Sequence, residues 1–523
     1  MRKTTKVFYI SLIISLLFII WGIVPKEVWP TWNLASITTN IQGFLVTRFG
    51  WFYLLVATTF LIFAIFLIVS KYGNIVLGKD GDKPEYNFIT WFAMLFSAGM
   101  GIGLVFWGAA EPISHLTAPP YATESEAEAA RVAMQYSFFH WGFHPWAVYA
   151  TLALALAYFQ FRKDEPGLIS STLKPLYGDK MNGGLGTLIN VIAVFATVFG
   201  VATSLGLGAQ QIGSGIEFLT GNVVNNITLQ LIIIGVVTVL YMSSALTGLN
   251  KGIKYLSNTN IVLAVLLMLF VLFTGPTNFI MNFFTTTLGS YLANLPEMSF
   301  RMAPFNEDNA TWLEGWTIFY WAWWIAWAPF VGMFIARVSR GRTVREFVLG
   351  VLLVPTIFSA LWFSVFGGSS ISLQMNNGID VSGVMDDSGT EAALFTVLEN
   401  FPLATITITL AVLLISTFFI TSADSATFVL GMQTTNGDLN PDVRIKVAWG
   451  VVQSGTAAVL LWQGGLEALQ TASIIAAFPF AIILILVVIS VFKAFQEEGR
   501  NYTLKRKKGR IAHQKSPLLQ ELQ

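Results

Sequence analysis

Runs of about twenty apolar residues recur from one end of this 523-residue chain to the other. Each is long enough, as a helix, to cross a hydrocarbon core of roughly 30 Å. That one feature makes the chain an all-α polytopic membrane protein. Charge agrees with it: 11% of residues are charged, against roughly 25% in a soluble domain. Lys+Arg 30 against Asp+Glu 29 leaves no general basic field for nucleic acid. The absence of cysteine excludes disulfides, Cys-ligated zinc, iron–sulfur clusters and thiol catalysis.

Reading the apolar runs between charged or Gly/Pro/Asn-rich breaks predicts twelve spans: 7–25, 51–70, 88–110, 140–160, 185–206, 226–246, 259–280, 315–336, 347–367, 403–430, 446–462 and 468–492. No small-residue cleavage site closes the first run, which therefore reads as an uncleaved helix. With the N-terminus placed in the cytoplasm, 26 of the thirty basic residues fall in inner segments; only Lys26, Arg48, Arg131 and Arg301 fall outside. The positive-inside rule then puts both termini in the cytoplasm, with the protein in the cell membrane. Asp424, near the inner end of the tenth span, is the only acidic residue placed within a span. An interior with so little fixed charge disfavours a proton pump built on chains of carboxylates, and it suits a neutral or zwitterionic solute. The outer connections 281–313 and 369–402 carry amphipathic pieces, such as Thr390 to Asn400, that could lie flat on the outer surface.

Four motifs could carry chemistry. The third span holds Gly99, Gly101 and Gly103 in alternation. Glycines at this density either let helices pack closely or open a break whose freed backbone groups face a ligand; the alternate spacing, which serves no single packing ridge, favours the break. In the eighth span Trp321, Trp323, Trp324 and Trp327 crowd into seven residues beside Phe319, Tyr320 and Phe330. Interfacial belts also gather Trp, but not at this density near mid-span. Stacked indole faces suit a cation that cannot donate hydrogen bonds, namely a quaternary ammonium. The fourth span adds Trp141, Trp146 and Tyr149, with Pro145 expected to bend the helix. Its His140 and His144 stand at metal-ligand spacing, yet no third ligand follows at a sensible offset, so hydrogen-bonded histidines are the plainer reading. At the end of the tenth span Thr421, Ser422 and Ser425 offer hydroxyls and Phe418 a carbonyl. Such oxygens suit sodium, although back-bonding of Ser/Thr to their own helix is the commoner use.

Taken together, Gly99-Met100-Gly101-Ile102-Gly103, the run Tyr320 to Pro329, Arg337-x-x-Arg340-Gly341-Arg342, and His140-Trp141-Gly142 through His144-Pro145-Trp146 resemble the betaine/carnitine/choline transporter family. The likeness is greatest to its sodium-coupled glycine betaine members. It implies twelve helices around a LeuT-like 5+5 inverted-repeat core. The organisation would be 1–87 with two additional helices, 88–280 as the first repeat, 281–492 as an outer amphipathic segment and the second repeat, and 493–523 as a basic tail. It implies import of glycine betaine with sodium for osmoprotection, by a homotrimer with no enzymatic activity and no cofactor besides the coupling ion. Alternatives are choline or another betaine-type solute (proline betaine, ectoine, carnitine), or a sodium-independent quaternary-amine channel or exchanger.

By the same resemblance, Trp141, Trp146, Tyr149 and Trp324 form an aromatic box, Trp323 and Trp327 line the inward path, and Gly99, Met100, Gly101 and Gly103 present backbone to the substrate. A sodium ion would be held by Ser97, Met100, Phe418, Thr421 and Ser422, and a second by Thr197 and Phe330. The second set departs from the family pattern, because Val201 stands where a hydroxyl is wanted; Thr203 or backbone would have to replace it. Choline members tend to carry Asp at the position of Gly103, and a net-positive substrate buried without a carboxylate is disfavoured. The tail Lys505-Arg506-Lys507-Lys508-Gly509-Arg510 is either a topology anchor or a contact for anionic lipid.

Overall fold

The computed structural model describes residues 4–25, 27–99, 101–247 and 250–520, with side chains over the same ranges except 96–99, 245–247, 250–254 and 500–520. Among the described residues the fold is all-α, and the one extended pairing is a single bridge between Val76 and Thr343. The chain begins with α1 (Lys6–Ile23) and α2 (Leu34–Val69), whose first turns are capped by the side chains of Thr5 and Asn33. α3 (Phe88–Gly99) and α4 (Ile102–Thr117) follow, then α5 (Glu126–Trp141) and α6 (Phe143–Ala157), the short turn α7 (Lys174–Tyr177), and α8 (Gly184–Thr220). Next come α9 (Ile227–Thr247), α10 (Asn250–Thr274), α11 (Thr277–Phe300) and α12 (Glu307–Leu313). A π-helical turn leads from α12 into α13 (Phe319–Val338). α14 (Val344–Asn376), the short helices α15 (Val381–Ser388) and α16 (Ala393–Glu399), α17 (Ala404–Thr434) and α18 (Val443–Gln520) complete it.

Nine helical stretches among the described residues are long and apolar enough to cross a membrane. Eight of them carry one predicted span each and the ninth carries the eleventh and twelfth; the third and fourth coincide with helices that glycine interrupts. The third falls on α3 and α4, with Gly101 at the start of the second piece, and the fourth on α5 and α6, parted at Gly142. The eleventh and twelfth both lie in α18, on either side of a kink at Gly464 and Gly465. Gly465 has φ +59°, a left-handed conformation that glycine adopts without strain.

Two expectations about spans and connections are overturned. α4 does not stop at 110: it continues through Glu111 and Pro112 to Thr117 and is buried almost throughout. Proline is tolerated there because the neighbouring helix comes in close, with Gly367 packed against Pro112 and the Gly108 carbonyl. Asp424 is therefore not the only acid within a span. Glu111 lies in the packed interior, wholly buried. The second correction concerns Thr390 to Asn400. Residues Ala392 to Leu398 are at most 3% exposed, and α16 packs among α4, α8, α14 and α17 rather than on the surface. A short helix that is apolar on every side is stable only when surrounded.

The connections that hold most of the basic residues clasp one another. Arg342 donates to the Tyr86 carbonyl at 2.7 Å and lies over the Trp91 ring, while Arg345 donates to the carbonyls of Ile68 and Ser70. Arg162 donates to the Gly78 carbonyl and pairs with Asp80 and Glu498. Gly341 makes the clasp possible: its φ is +80°, and any Cβ there would meet the Lys83 carbonyl at 2.2 Å. The basic run Lys505 to Arg510 lies outside the residues whose side chains are described.

Candidate functional site

The aromatic residues singled out in the fourth and eighth spans converge. Trp141 closes α5, Trp146 and Tyr149 sit on α6, and Trp323, Trp324 and Trp327 come from α13. Trp324 stacks on Trp323 with ring centroids 4.7 Å apart and meets Trp141 edge to face at 4.8 Å. Tyr149 contacts Trp146, Trp324 and Trp327 at 5.4, 6.2 and 6.4 Å. These rings, with Leu104, Pro145, Gly101 and Gly103, line one cavity. Its free volume is about 20 Å³, room for a single water, so a trimethylammonium group requires the rings to part.

Two glycines permit this crowding. A Cβ on Gly103 would come within 2.5 Å of Trp323 and 3.2 Å of Trp141. On Gly142 it would meet both the Phe138 carbonyl and the Tyr291 hydroxyl at 2.5 Å. Gly142 separates α5 from α6, and the Tyr291 hydroxyl accepts the freed N–H of Phe143 at 3.0 Å. The bend expected at Pro145 therefore lies three residues earlier. Gly101 opens α4 with extended backbone and no side-chain cap, so its first N–H groups and the positive end of the helix dipole are left for an anion. Gly99 ends α3; Met100 lies outside the described residues, as does the side chain of Ser97. Trp321, the remaining indole of the run, is not among the cavity's lining residues and stacks on His144 at 5.0 Å.

The break at Gly142 also undoes the pairing of His140 with His144. His144 turns to Ser299, at 3.2 Å, whereas His140 places Nδ1 2.7 Å from Glu111 and Nε2 2.9 Å from Thr317. Glu111 additionally faces His115 and accepts from the Trp141 indole and the Tyr320 hydroxyl. Glu111, His115 and His140 place ligand-type atoms within 4.8 Å of one another, but hydrogen bonds among them already account for that closeness. Sequence reading missed this hub because the span was closed one residue short of the acid. An acid adjoining an unbroken apolar run was the available signal.

Below the box a larger cavity, of about 930 Å³, runs towards the end that carries the basic connections. Trp327, Phe330, Phe418, Thr421, Ser422, Asp424, Ser425 and Arg337 are among its lining residues. The Thr421 hydroxyl bonds back to the carbonyls of Thr417 and Phe418 and accepts from Asn260. Thr197 is buried against the amide of Gln433 on α17, a partner that nothing in the sequence announced. Val201 is packed in the core, and Thr203, the suggested substitute, spends its hydroxyl on Leu469 and Ser473 of α18. The structure thus brings Phe418, Thr421, Ser422 and Phe330 onto one cavity and turns Thr203 away from it.

Interrupted helices whose breaks meet at an aromatic cavity buried in a polytopic bundle define a class of membrane transporter. A model of the betaine/carnitine/choline family transporters matches residues 6–500. The chain belongs to that family. It is 53% identical to the glycine betaine transporter OpuD of Bacillus subtilis over 96% of both chains. It is 47% identical to a probable glycine betaine transporter of Desulfitobacterium hafniense, over 95% of this chain and 98% of the relative. An ectoine/hydroxyectoine transporter of Virgibacillus pantothenticus is 46% identical over 94% of this chain and 97% of its own.

Proposed function

We propose that the protein imports glycine betaine together with sodium, as an osmoprotectant uptake system of the cell membrane. The observation that carries this is the ring cage of Trp141, Trp146, Tyr149 and Trp324 beside the uncapped start of α4. The trimethylammonium group would sit among ring faces, each desolvated cation–π contact contributing up to about 2 kcal/mol. The carboxylate would meet the N–H groups after Gly101. Primary amines fit less well, because the cage leaves their N–H donors unpaired. Choline lacks the anion that the helix start would bind. A second reading, uptake of ectoine, is favoured by the relative of that name at 46% identity.

Sodium would bind to the hydroxyls of Thr421 and Ser422 and the Phe418 carbonyl, on residues that line the large cavity, and would join the two halves of the core. An ion held there favours one arrangement of those halves by its differential affinity for it. Both termini would face the cytoplasm, the large cavity would be the inner vestibule, and the protein would assemble as a trimer with its basic tail near anionic lipid. Radiolabelled betaine uptake into proteoliposomes, with and without a sodium gradient, tests the reading. Replacing Thr421 and Ser422 together by Ala should raise the sodium needed for half-maximal uptake far more than Thr197→Ala. Uptake indifferent to sodium overturns the coupling.

A further inference from the structure

We propose that Glu111 is a positioning residue that sets how strongly the aromatic box prefers a cation over a neutral group of the same shape. The inference rests on the reading that the box holds a quaternary ammonium. Trp141 contributes its ring to the cavity and turns its N–H edge away from it, onto Glu111 Oε2 at 2.8 Å. An indole nitrogen can only donate, so this contact makes Oε2 an acceptor. The Tyr320 hydroxyl lies on the same oxygen, while His140 Nδ1 and His115 Nε2 lie 2.7 and 3.1 Å from Oε1. Four hydrogen-bonding groups thus surround one carboxyl group that is wholly buried.

The contrast within the box is informative. Trp324 gives its N–H to the neutral carbonyl of His140, and the buried N–H groups of Trp323 and Trp327 have no partner among the described residues. Only Trp141, among these indoles, is joined to an acid. A carboxylate on the N–H edge draws positive charge to that edge and leaves the ring face more negative, the property that a cation senses. The same negative charge attracts the ammonium directly through the packed interior, where Coulombic effects are less screened than in bulk water. Both effects favour positive charge beside the Trp141 ring, whereas the repulsion felt by a carboxylate is common to any two ligands that share one. The two effects give the site an anionic character without putting an acidic side chain in the cavity, where it would repel the substrate carboxylate.

The test compares two ligands of nearly one shape: glycine betaine and 3,3-dimethylbutanoate, in which carbon replaces the quaternary nitrogen. Binding is measured on the full-length protein in lipid nanodiscs, by equilibrium dialysis of labelled betaine and its displacement by the isostere. Glu111→Gln keeps an acceptor for the indole but removes the charge. We expect it to weaken betaine binding about tenfold and to change isostere binding less than about twofold, so the preference falls about tenfold. Equal weakening of both ligands would reveal a purely structural role and overturn the proposal, as would an unchanged preference. Should Glu111→Gln not yield monodisperse protein, Glu111→Asp, which withdraws the charge by one methylene, is judged on the same ratio: a drop supports the proposal and no change overturns it. A wild-type protein with no preference for betaine would instead refute the reading of the box.

Discussion

Trp324 shows how much one side chain can carry. Its ring stacks on Trp323 and meets Trp141 in a T-shaped contact, and its N–H is held by the His140 carbonyl at 3.0 Å. Removing it deletes one wall of the box and the anchor that keeps the stack in register. For Trp324→Ala we expect betaine to bind about thirtyfold more weakly, the equivalent of about 2 kcal/mol. Trp324→Phe should recover part of that, because a ring face persists. Isothermal titration on protein shown to be monodisperse checks both, and an unaltered affinity in the alanine variant would remove Trp324 from the site. The crowding of four tryptophans into seven residues was legible in the sequence. Spacing alone did not say which of them turn inward, because Trp321 and Trp324 differ only in the neighbours that the fold gives them; the family resemblance alone left Trp321 out.

At the scale of elements, breaks matter more than lengths. The split between α3 and α4 was legible in alternating glycines; the split between α5 and α6 was not, since a lone Gly142 beside a proline drew attention to the proline. Packing decides the point, through the Phe138 carbonyl and Tyr291 hydroxyl that leave no space for a Cβ. Embedding of α16 was likewise invisible, and it has a titratable consequence. Glu391, in the turn that leads into α16, is 7% exposed and accepts from Asn225 at 2.9 Å. Burial raises its pKa above the usual carboxylate range, with a smaller push from the Glu217 charge. A raised folded-state value means that the fold favours the protonated form. Its contribution to stability is therefore fully present below the unfolded-state pKa and is lost as pH rises through the folded one. We expect Glu391→Gln, which stays neutral, to gain stability relative to wild type as pH rises from about 4.5 towards neutrality. Melting temperatures of both proteins across that range measure it, and parallel pH profiles would show that Glu391 does not titrate in the window.

For the whole molecule, the asymmetry between the two ends is the feature to exploit. The box is tightly packed, with about 20 Å³ free, while the cavity beneath it has about 930 Å³. Alternating access requires these proportions to reverse. The chain has no cysteine, so a single introduced thiol reports without background. Ser425→Cys, on the wall of the large cavity, should react with a maleimide supplied from the basic-loop side. Saturating sodium with betaine should slow that reaction several-fold if the pair promotes closure of the cavity. Equal rates with and without the ligands would show that this cavity does not close on binding.

Membrane class, helical architecture and the residue types of the site were determined by the sequence alone. All three rest on local chemistry: apolar run length sets what can cross lipid, glycine spacing sets where a helix can open, and indole density sets what a cavity can attract. Tertiary structure decided which of these local features meet. It split His140 from His144, carried Glu111 into the interior through a proline that reads as a stop, gave Thr197 to Gln433, and turned Thr203 towards α18. Each outcome depends on groups far apart in sequence brought within a few ångströms. Periodicity along one helix records which residues share a face, but not what stands opposite that face.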